Sequence, residues 1–409
     1  MAIGLAVMTL EGYDLVAFGA TAPMLLQYKP WGLSLPALGA LGGLTPAGML
    51  FGALLVGQLT DRYGRRRTTL VSLVVVSLGM FTCAFALDPQ MFGAGRLVVG
   101  LGVGAIFPAM APLIFELAPA ARKNLCSAIV QCGVTVGGSV AALAADVFLR
   151  GHDFRLEYLI GGGAGLLLLA MTYIWLPESP AYRGESSHVR SGPRDGGMRV
   201  VLRPPYAGTT ALFCGMVTCS FVLIFGMNTW LPQLMRAAEY PLGSSLTFLM
   251  LLNLGATVGG LAMAVLADRA GSKRPIIACF IVAAGAIAAL SIKSSPAVLY
   301  PIVMIGGAGA IGVQGLLNVD ISRTYPVHAR ASAVGVALGI GRIGAIAGPT
   351  LGGLILAAGL APRWNFVLFA IPALLGAVLA LADASRRLSP HQGEPHVMRP
   401  AEEPAGPAR

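Results

Sequence analysis

Long apolar runs recur along the whole chain, and they decide what it can fold into. Each run has about 20 residues, the length that an α-helix needs to cross the ~30 Å hydrocarbon core of a bilayer. Hydrophobic residues make up 56% of the 409-residue sequence and charged residues only 11%, a composition that soluble domains do not tolerate. We therefore predict an all-α integral membrane protein with twelve transmembrane helices. The predicted spans are 2–25, 37–60, 67–87, 90–115, 125–149, 156–176, 205–232, 243–266, 275–293, 296–319, 331–359 and 364–384.

The basic residues indicate how these spans are oriented. With both termini in the cytoplasm, the inside loops and the C-terminal tail carry 20 of the 28 Lys and Arg residues, and the outside loops carry six. The positive-inside rule predicts this asymmetry. Topology therefore explains the net charge of +10, which is no argument for nucleic acid binding. We expect a monomeric, multi-pass protein of the plasma (inner) membrane with both termini cytoplasmic.

Other global signals add little. No basic segment precedes the first apolar run, so the sequence predicts no cleavable signal peptide. That run begins almost at Met1, which leaves open whether a short leader precedes it. The cysteines lie singly in predicted spans, without the pairing of metal sites, and we interpret them as packing residues. They are Cys83, Cys126, Cys132, Cys214, Cys219 and Cys279.

Two loop sequences show that the chain repeats itself. GQLTDRYGRRR (57–67) follows the second predicted span and AVLADRAGSKR (264–274) follows the eighth, with Asp61 and Asp268 lying 207 residues apart. Parallel repetition of six spans predicts two pseudo-symmetric six-helix bundles with a ligand site between them at the membrane midplane. We assign the N-terminal bundle to 1–180, a cytoplasmic linker to 181–204, the C-terminal bundle to 205–387 and a disordered cytoplasmic tail to 388–409.

The repeated loops can be interpreted as a gate. Their arginines can anchor the turn on an anionic leaflet, and Gly64 permits a tight turn. Asp61 can meet the positive N-terminus of a helix from the other half. A purely topological role for the arginines remains the alternative. The predicted gating residues are Gly57, Asp61, Arg62, Gly64, Arg65, Arg66, Asp268, Arg269 and Gly271.

Several motifs resemble known transporters. GQLTDRYGRRR and GRLVVGLGVG are similar to signatures of the major facilitator superfamily, and the likeness covers essentially the whole chain. Within that superfamily the sequence resembles the aromatic acid/proton symporters, whose first span carries Asp-Gly-x-Asp. Glu11 occupies the first of these positions here, which keeps the carboxylate and lengthens its reach. The motifs of this narrower likeness are EGYD (11–14), LPESP (176–180), NTWLP (228–232) and GVALGIGRIGAIAGPTLGG (335–353).

The resemblance implies the major facilitator fold and a secondary active transporter. It implies proton-coupled uptake of a small organic anion by alternating access, and an aromatic carboxylate of the benzoate or hydroxybenzoate type is the expected substrate. The proton is then the coupling ion, and no other cofactor is expected.

Four charges fall deep inside predicted spans. Glu11 and Asp14 lie in the first span, Arg96 in the fourth and Arg342 in the eleventh. A lone ion there costs roughly 2.5–3.5 kcal/mol even on a lenient scale, so a partner and a function are the default interpretation. The two carboxylates are three residues apart and share a helix face, which Phe18 continues one turn later.

These charges suggest a transport mechanism. We expect Asp14 to carry the coupling proton, with Glu11 tuning or sharing it, and Arg342 or Arg96 to bind the substrate carboxylate. Two ordinary buried ion pairs are the alternative, although such pairs stabilise poorly. With an interior at about −100 mV, bringing in one anionic charge costs ~2.3 kcal/mol, and this cost gives proton coupling its purpose.

Uncharged side chains in spans could complete the cavity. Asn228, Gln131, Gln314 and Asn318 offer amides, and Phe18 or Trp230 could stack on an aromatic ring. Packing is the common alternative for aromatic residues in spans. The predicted substrate-binding set is Arg96, Arg342, Phe18, Asn228, Trp230 and Gln314.

Other functional classes find less support. The sequence contains no metal-ligand cluster, phosphate-binding loop or nucleophile motif, so we predict that the protein is not an enzyme. A proton symporter for another metabolite, such as a dicarboxylate or a sugar, remains the main alternative. A drug/proton antiporter fits less well, since Gly-Pro occurs in the eleventh span (348–349) and not in the fifth. A non-transporting membrane sensor would require a signalling domain for which the linker and tail are too short.

Overall fold

A computed structural model describes residues 1–119, 123–148, 153–178, 195–326 and 329–388. These residues form fourteen helices and no strand. The first half contains α1 (Ala2–Gln27), α2 (Leu35–Tyr63), α3 (Arg65–Ala84), α4 (Pro89–Leu117), α5 (Lys123–Phe148) and α6 (Arg155–Trp175). The short α7 (Asp195–Leu202) leads to α8 (Ala207–Ala237), α9 (Leu242–Ala270), α10 (Lys273–Ala289), α11 (Pro296–Ala310), α12 (Gly312–Thr324), α13 (Arg330–Ala357) and α14 (Pro362–Leu388).

The helices confirm a multi-pass membrane protein. Within the described residues, eleven helical segments are long and apolar enough to span a bilayer, counting α11 and α12 as one segment. The predicted span at 275–293 corresponds to α10, which has only 17 residues and is shorter than the ~20 residues that a span usually needs. The count of twelve therefore stays a prediction.

The region between the halves and the tail is described only in part. The predicted linker at 181–204 contains α7, and the rest of it up to residue 194 lies outside the described residues. The predicted tail at 388–409 also lies outside them, apart from Leu388 at the end of α14. The proposed disorder of the tail is thus untested.

Local sequence signals explain where several helices begin and end. The side chains of Ser34 and Asp88 accept hydrogen bonds from the amides of Ala37 (3.3 Å) and Met91 (2.7 Å), and a proline follows inside the first turn. Such caps satisfy amides that a helix start leaves unpaired. In both repeated loops the chain turns through a glycine with positive φ, 85° at Gly64 and 79° at Gly271, a conformation that a Cβ would strain.

Each half is a bundle, and the two bundles meet along three helix pairs. Contacts between the halves run through α1 with α8, α2 with α13 and α5 with α9. We call the end of the molecule with the α2–α3 and α9–α10 turns the arginine-rich face, and the end with the α1–α2 loop the opposite face. On the side toward the opposite face, a Cβ on Gly19 would lie 1.8 Å from the Asn228 carbonyl oxygen, and one on Gly39 would lie 2.7 Å from that of Pro349. The halves are thus closed together there.

Toward the arginine-rich face the halves part around a cavity of about 620 Å³. Phe107 and Gln131 of the first half line it, together with α12 and α13 of the second half. Its further lining residues are Gly315, Asn318, Val319, Ser322, Arg323, Arg330, Val334 and Leu338. Among the described residues, the halves thus touch toward the opposite face and are separated by this cavity toward the arginine-rich face.

Candidate functional site

Asp14 and Arg96 form an ion pair inside the first half. Asp14 on α1 is completely buried, and Arg96 on α4 is 2% exposed. The Arg96 Nη1 atom lies 3.4 Å from Asp14 Oδ1 and 3.5 Å from the Asp14 main-chain oxygen. Thr45 of α2 donates a hydrogen bond to the main-chain oxygen of Arg96 at 3.0 Å. Three helices thus hold this pair in place.

Phe18 covers the same pair. Its ring centroid lies 4.9 Å from Arg96 Cζ, within the range of a cation–π interaction. Phe18 is 1% exposed and also contacts Phe92, with ring centroids 6.3 Å apart. The predicted stacking residue therefore packs on Arg96 in this conformation and does not line the cavity.

Glu11 of the first half and Arg342 of the second half are the other two deep charges. Glu11 is 8% exposed, and its Oε2 atom has no hydrogen-bond partner among the described residues; the same holds for Nη1 of Arg342. The two groups are close enough to interact electrostatically, yet no ion pair within 4 Å joins them in the part of the chain that the structure describes. The Arg342 guanidinium lies 5.9 Å from the Phe221 ring centroid. Two groups of opposite charge, one from each half, therefore interact without forming an ion pair.

Arg342 lies one helical turn beyond the residues of α13 that line the cavity. Arg330, Val334 and Leu338 line the cavity along α13, and Arg342 continues their four-residue spacing on the same helix face. The same relation holds on α12, where Asn318 lines the cavity and Gln314 precedes it by one turn. Gln314 Nε2 donates to Asn318 Oδ1 at 3.3 Å, and Gln314 Oε1 is buried without a partner among the described groups. One helical turn beyond the lining residues, the two helices thus carry one cation and one amide acceptor.

Asn228 and Trp230 do not line the cavity. Asn228 on α8 is 1% exposed, donates to the Ile224 main-chain oxygen and accepts from Asn253 Nδ2, both at 2.8 Å. Trp230 is completely buried and donates from Nε1 to the Pro349 main-chain oxygen at 2.7 Å. In this conformation both predicted ligands take part in helix packing.

The first repeated loop is held by acidic residues from its own half. Arg65 forms an ion pair with Glu116 at the end of α4. Glu178, from the LPESP motif, accepts a hydrogen bond from the Arg66 amide at the start of α3 at 3.0 Å, and Arg66 Nη2 donates to the Tyr173 main-chain oxygen at 2.5 Å. The surroundings of other predicted gating residues lie outside what the structure describes; these are Gly57, Asp61, Arg62, Asp268 and Arg269.

Glu157 is a buried carboxyl group that sequence reasoning missed. It lies in the first turn of α6, is completely buried, and neither carboxyl oxygen has a hydrogen-bond partner among the described residues. The signal was present, because position 157 falls inside the sixth predicted span, yet at the edge of a span an acidic residue usually reaches water. Among the residues that the structure describes, no group of three or more His, Cys, Asp or Glu side chains could hold a metal ion.

Comparison with known families decides the classification. The sequence model of the Major Facilitator Superfamily matches residues 5–349. The chain belongs to this superfamily. The predicted transporter class is thereby confirmed over the enzyme class, since this is a superfamily of membrane transporters.

Relatives within the superfamily include proteins named as aromatic acid transporters. The gentisate transporter of Corynebacterium glutamicum is 33% identical over 383 residues, covering 92% of this chain and 85% of its own. The benzoate transport protein of Acinetobacter baylyi is 29% identical over 417 residues, covering 94% and 88%. The resemblance drawn from EGYD and the other motifs is thus confirmed.

Solved structures confirm the fold. A D-xylose–proton symporter superposes with a TM-score of 0.78 at 17% identity, covering 93% of this chain and 96% of its own. An inward-open xylose transporter from E. coli superposes with a TM-score of 0.74 at 17% identity, covering 94% of each chain. At this level of identity the likeness establishes the major facilitator fold alone.

Proposed function

We propose that this protein imports a small aromatic carboxylate together with protons across the plasma (inner) membrane by alternating access. The observation that carries the proposal is that Glu11 Oε2 and Arg342 Nη1 are buried without hydrogen-bond partners among the described residues, and that Arg342 lies one helical turn beyond the cavity-lining Leu338. The names of the relatives support an aromatic acid as substrate. The charge asymmetry of the loops supports cytoplasmic termini, which makes the arginine-rich face the cytoplasmic one. Because one chain supplies both halves of the site, we propose that the monomer transports.

Arg342 is better placed than Arg96 to bind the substrate carboxylate. Arg96 is already paired with Asp14 and covered by Phe18. Arg342 has an unpartnered terminal nitrogen next to a cavity wide enough for a small aromatic acid. A guanidinium can bind a planar carboxylate through two parallel hydrogen bonds. We therefore assign the substrate carboxylate to Arg342.

The same geometry connects the proton to the substrate. An ionised Glu11 and the substrate carboxylate would compete for Arg342, since like charges repel when they share one cation. A proton on Glu11 removes the competitor, so substrate binding and protonation favour each other. Asp14, by contrast, has its own arginine inside the first half. We propose that Glu11 takes the coupling proton and that Asp14 shares it through the neighbouring turn of α1.

Uptake by reconstituted protein tests this assignment. Vesicles with an imposed pH gradient receive labelled gentisate, benzoate, a dicarboxylate or a sugar, and accumulation and counterflow are measured. We expect the wild type to accumulate an aromatic acid. Glu11→Gln should keep counterflow, because its neutral amide resembles the protonated acid, but lose accumulation driven by the pH gradient.

Asp14→Asn is the matched variant for this experiment, because it neutralises the other carboxylate of the same helix face. If only Asp14→Asn loses proton-driven accumulation, Asp14 and not Glu11 binds the coupling proton. Undiminished accumulation in both variants would refute proton coupling at this pair. Accumulation of only the sugar or the dicarboxylate would refute the aromatic substrate.

A further inference from the structure

We propose that Glu157 is a second proton-binding site, and that its proton gives transport a net inward positive charge. The second clause rests on the proposed function, and the first does not. Glu157 is fully buried on α6, and both of its carboxyl oxygens lack a hydrogen-bond partner among the described residues. An ionised carboxylate is not stable in such surroundings and takes up a proton. The group therefore carries a proton in this conformation.

No cation of the described chain offsets the charge that Glu157 would have. Arg155, two residues before it on α6, is bound to Asp153 Oδ2 at 2.7 Å and to the Ala86 main-chain oxygen at 2.9 Å. On the α3 side, the nearest neighbours of the α6 glycines that follow are Ser77, Met80 and Phe81, none of which is charged.

The titratable neighbours of Glu157 are tyrosines. From α1, the Tyr13 hydroxyl donates to the Glu157 main-chain oxygen at 3.1 Å, which places it beside the carboxyl group. From α6 itself, the hydroxyl of Tyr158 is hydrogen-bonded to Thr21 at 3.0 Å. A tyrosine hydroxyl both donates and accepts hydrogen bonds, so it can pass a proton without becoming charged for long.

Packing does not explain a carboxyl group here. Buried charged groups stabilise a fold poorly, and an apolar side chain of similar size would fill the space without needing a proton. Glu157 also touches the helix that carries the coupling pair, because Tyr13 stands between Glu11 and Asp14 in the sequence of α1. Tyr13 faces α6 while Asp14 faces Arg96 on α4. Residues of α1 thus connect Glu157 with the site at which the substrate binds.

A second proton changes what drives transport. One proton carried with a monoanion moves no net charge, whereas two protons move one positive charge inward. An inside-negative potential of ~100 mV then raises the equilibrium accumulation about 50-fold per net charge. Both protons bind at one face and leave at the other, so each O–H bond formed on proton uptake is broken again on release and the carboxyl groups are regenerated.

Two measurements on reconstituted, full-length protein test the proposal. Infrared difference spectra between the wild type and Glu157→Gln should show the carbonyl band of a protonated carboxylic acid in the wild type alone. Separately, a potassium diffusion potential should raise accumulation in the wild type about 50-fold per 100 mV. Glu157→Gln should keep accumulation driven by the pH gradient and lose the response to the potential.

Two further variants make the result interpretable. Thr172→Val removes another fully buried, unpartnered polar group of α6 and should change neither readout, because threonine does not titrate here. Tyr13→Phe removes the hydroxyl beside Glu157 and should weaken the response to the potential even if Glu157→Gln does not fold. Absence of the acid band, or an unchanged response to the potential in Glu157→Gln, would overturn the proposal. If the wild type moves no aromatic acid, the proposed function fails while the infrared result still decides the proton site.

Discussion

The two halves of the molecule share a repeated sequence but hold their charges differently. In the first half, Arg65 at the turn pairs with Glu116. In the second half, Ser272 occupies the place of Arg65. Its hydroxyl group donates a hydrogen bond to Asp320 Oδ1 at 2.6 Å. Each turn thus contacts an acidic residue near the end of a helix of its own half, through a base in the first half and through a hydroxyl group in the second.

The membrane interior shows the same difference. The first half buries three carboxyl groups, Glu11, Asp14 and Glu157, and balances only Asp14 with an arginine of its own. Among the described residues, the second half places an amide pair, Asn228 with Asn253, between α8 and α9. It also buries Asp320 and Asp383, but the buried carboxyl oxygens without a hydrogen-bond partner in the described chain all belong to the first half. In the mechanism proposed above, coupling passes across the interface between Glu11 and Arg342.

The largest expected effect is at the cation of the second half. Arg342→Gln should lower kcat/KM for aromatic acid uptake by about 100-fold or more, because two charge-assisted hydrogen bonds at roughly 1.5–3 kcal/mol each are lost. Arg342→Lys should fall between this variant and the wild type, since it keeps the charge and loses the planar fork. Initial rates in vesicles measure both. Full activity of Arg342→Gln would contradict the assignment of the substrate carboxylate to the second half.

Breaking the ion pair of the first half should lower the stability of the fold. Asp14→Asn leaves Arg96 buried without a counter-charge, which costs about 3–5 kcal/mol. Thermal unfolding in detergent should show a lower midpoint. Replacing both residues, Asp14→Leu with Arg96→Met, should recover most of the loss, because apolar packing can replace a buried pair. If the double variant were as unstable as the single one, the pair would have a role beyond mutual neutralisation.

Two glycines of α1 distinguish contact between the halves from contact within one half. A Cβ on Gly19 would lie 1.8 Å from the Asn228 oxygen of the other half, and one on Gly12 would lie 1.7 Å from the Val134 oxygen on α5 of the same half. Overpacking costs about 1–3 kcal/mol. Gly19→Ala should therefore destabilise the conformation in which the halves touch at the opposite face. Gly12→Ala should destabilise every conformation of the first bundle.

Spin labels on the opposite face measure this difference. In a background without the native cysteines, Ser34 and Leu360 are replaced by cysteine and spin-labelled. The distance between the two labels, measured by double electron–electron resonance, reports the separation of the halves. Gly19→Ala should populate longer distances, while Gly12→Ala should lower the thermal midpoint and leave the distances unchanged. The same response in both variants would contradict a rigid first bundle.

The smallest effect is expected at an exposed pair. The hydrogen bond and the charge of Lys293 hold the pKa of the Glu239 carboxyl below its usual value. A lowered pKa would add stability above the usual pKa of glutamate and lose it as the pH falls. Both side chains are largely exposed to solvent, however, so solvent and salt screen the interaction. Glu239→Gln should leave the thermal midpoint unchanged near pH 7 and near pH 4, in contrast to the buried pair.

Helix positions were largely predictable, and the differences have local causes. The first predicted span, 2–25, is α1 at Ala2–Gln27, and Ser34 and Asp88 mark helix starts as capping residues should. The predicted span at 296–319 is instead broken at Ile311 between α11 and α12. The sequence around the break, IGGAGAIG, is rich in glycine, which weakens a helix, and hydropathy alone does not detect such a break.

The pairing of the deep charges was not predictable. The sequence placed Asp14 and Glu11 on one helix face, but it left Arg96 and Arg342 as equal candidates for the substrate. The choice depends on which groups already have partners: Arg96 of α4 pairs with Asp14, whereas Nη1 of Arg342 on α13 has no hydrogen-bond partner among the described residues. Phe18 and Trp230 carried the same ambiguity, because an aromatic side chain that can stack on a ligand can equally well fill a helix interface.

The sequence by itself determined that the chain lies in a membrane, that it is built from two repeats, and that four charges are buried within them. These follow from local properties, namely apolar length, loop composition and the cost of placing an ion in hydrocarbon. Only the tertiary structure decided that Asp14 belongs to Arg96, that a terminal nitrogen of Arg342 is left without a partner among the described residues, and that Glu157 is buried with no such partner for its carboxyl oxygens. Such facts depend on distances between helices that are far apart in the sequence, and hydrophobic periodicity does not encode them.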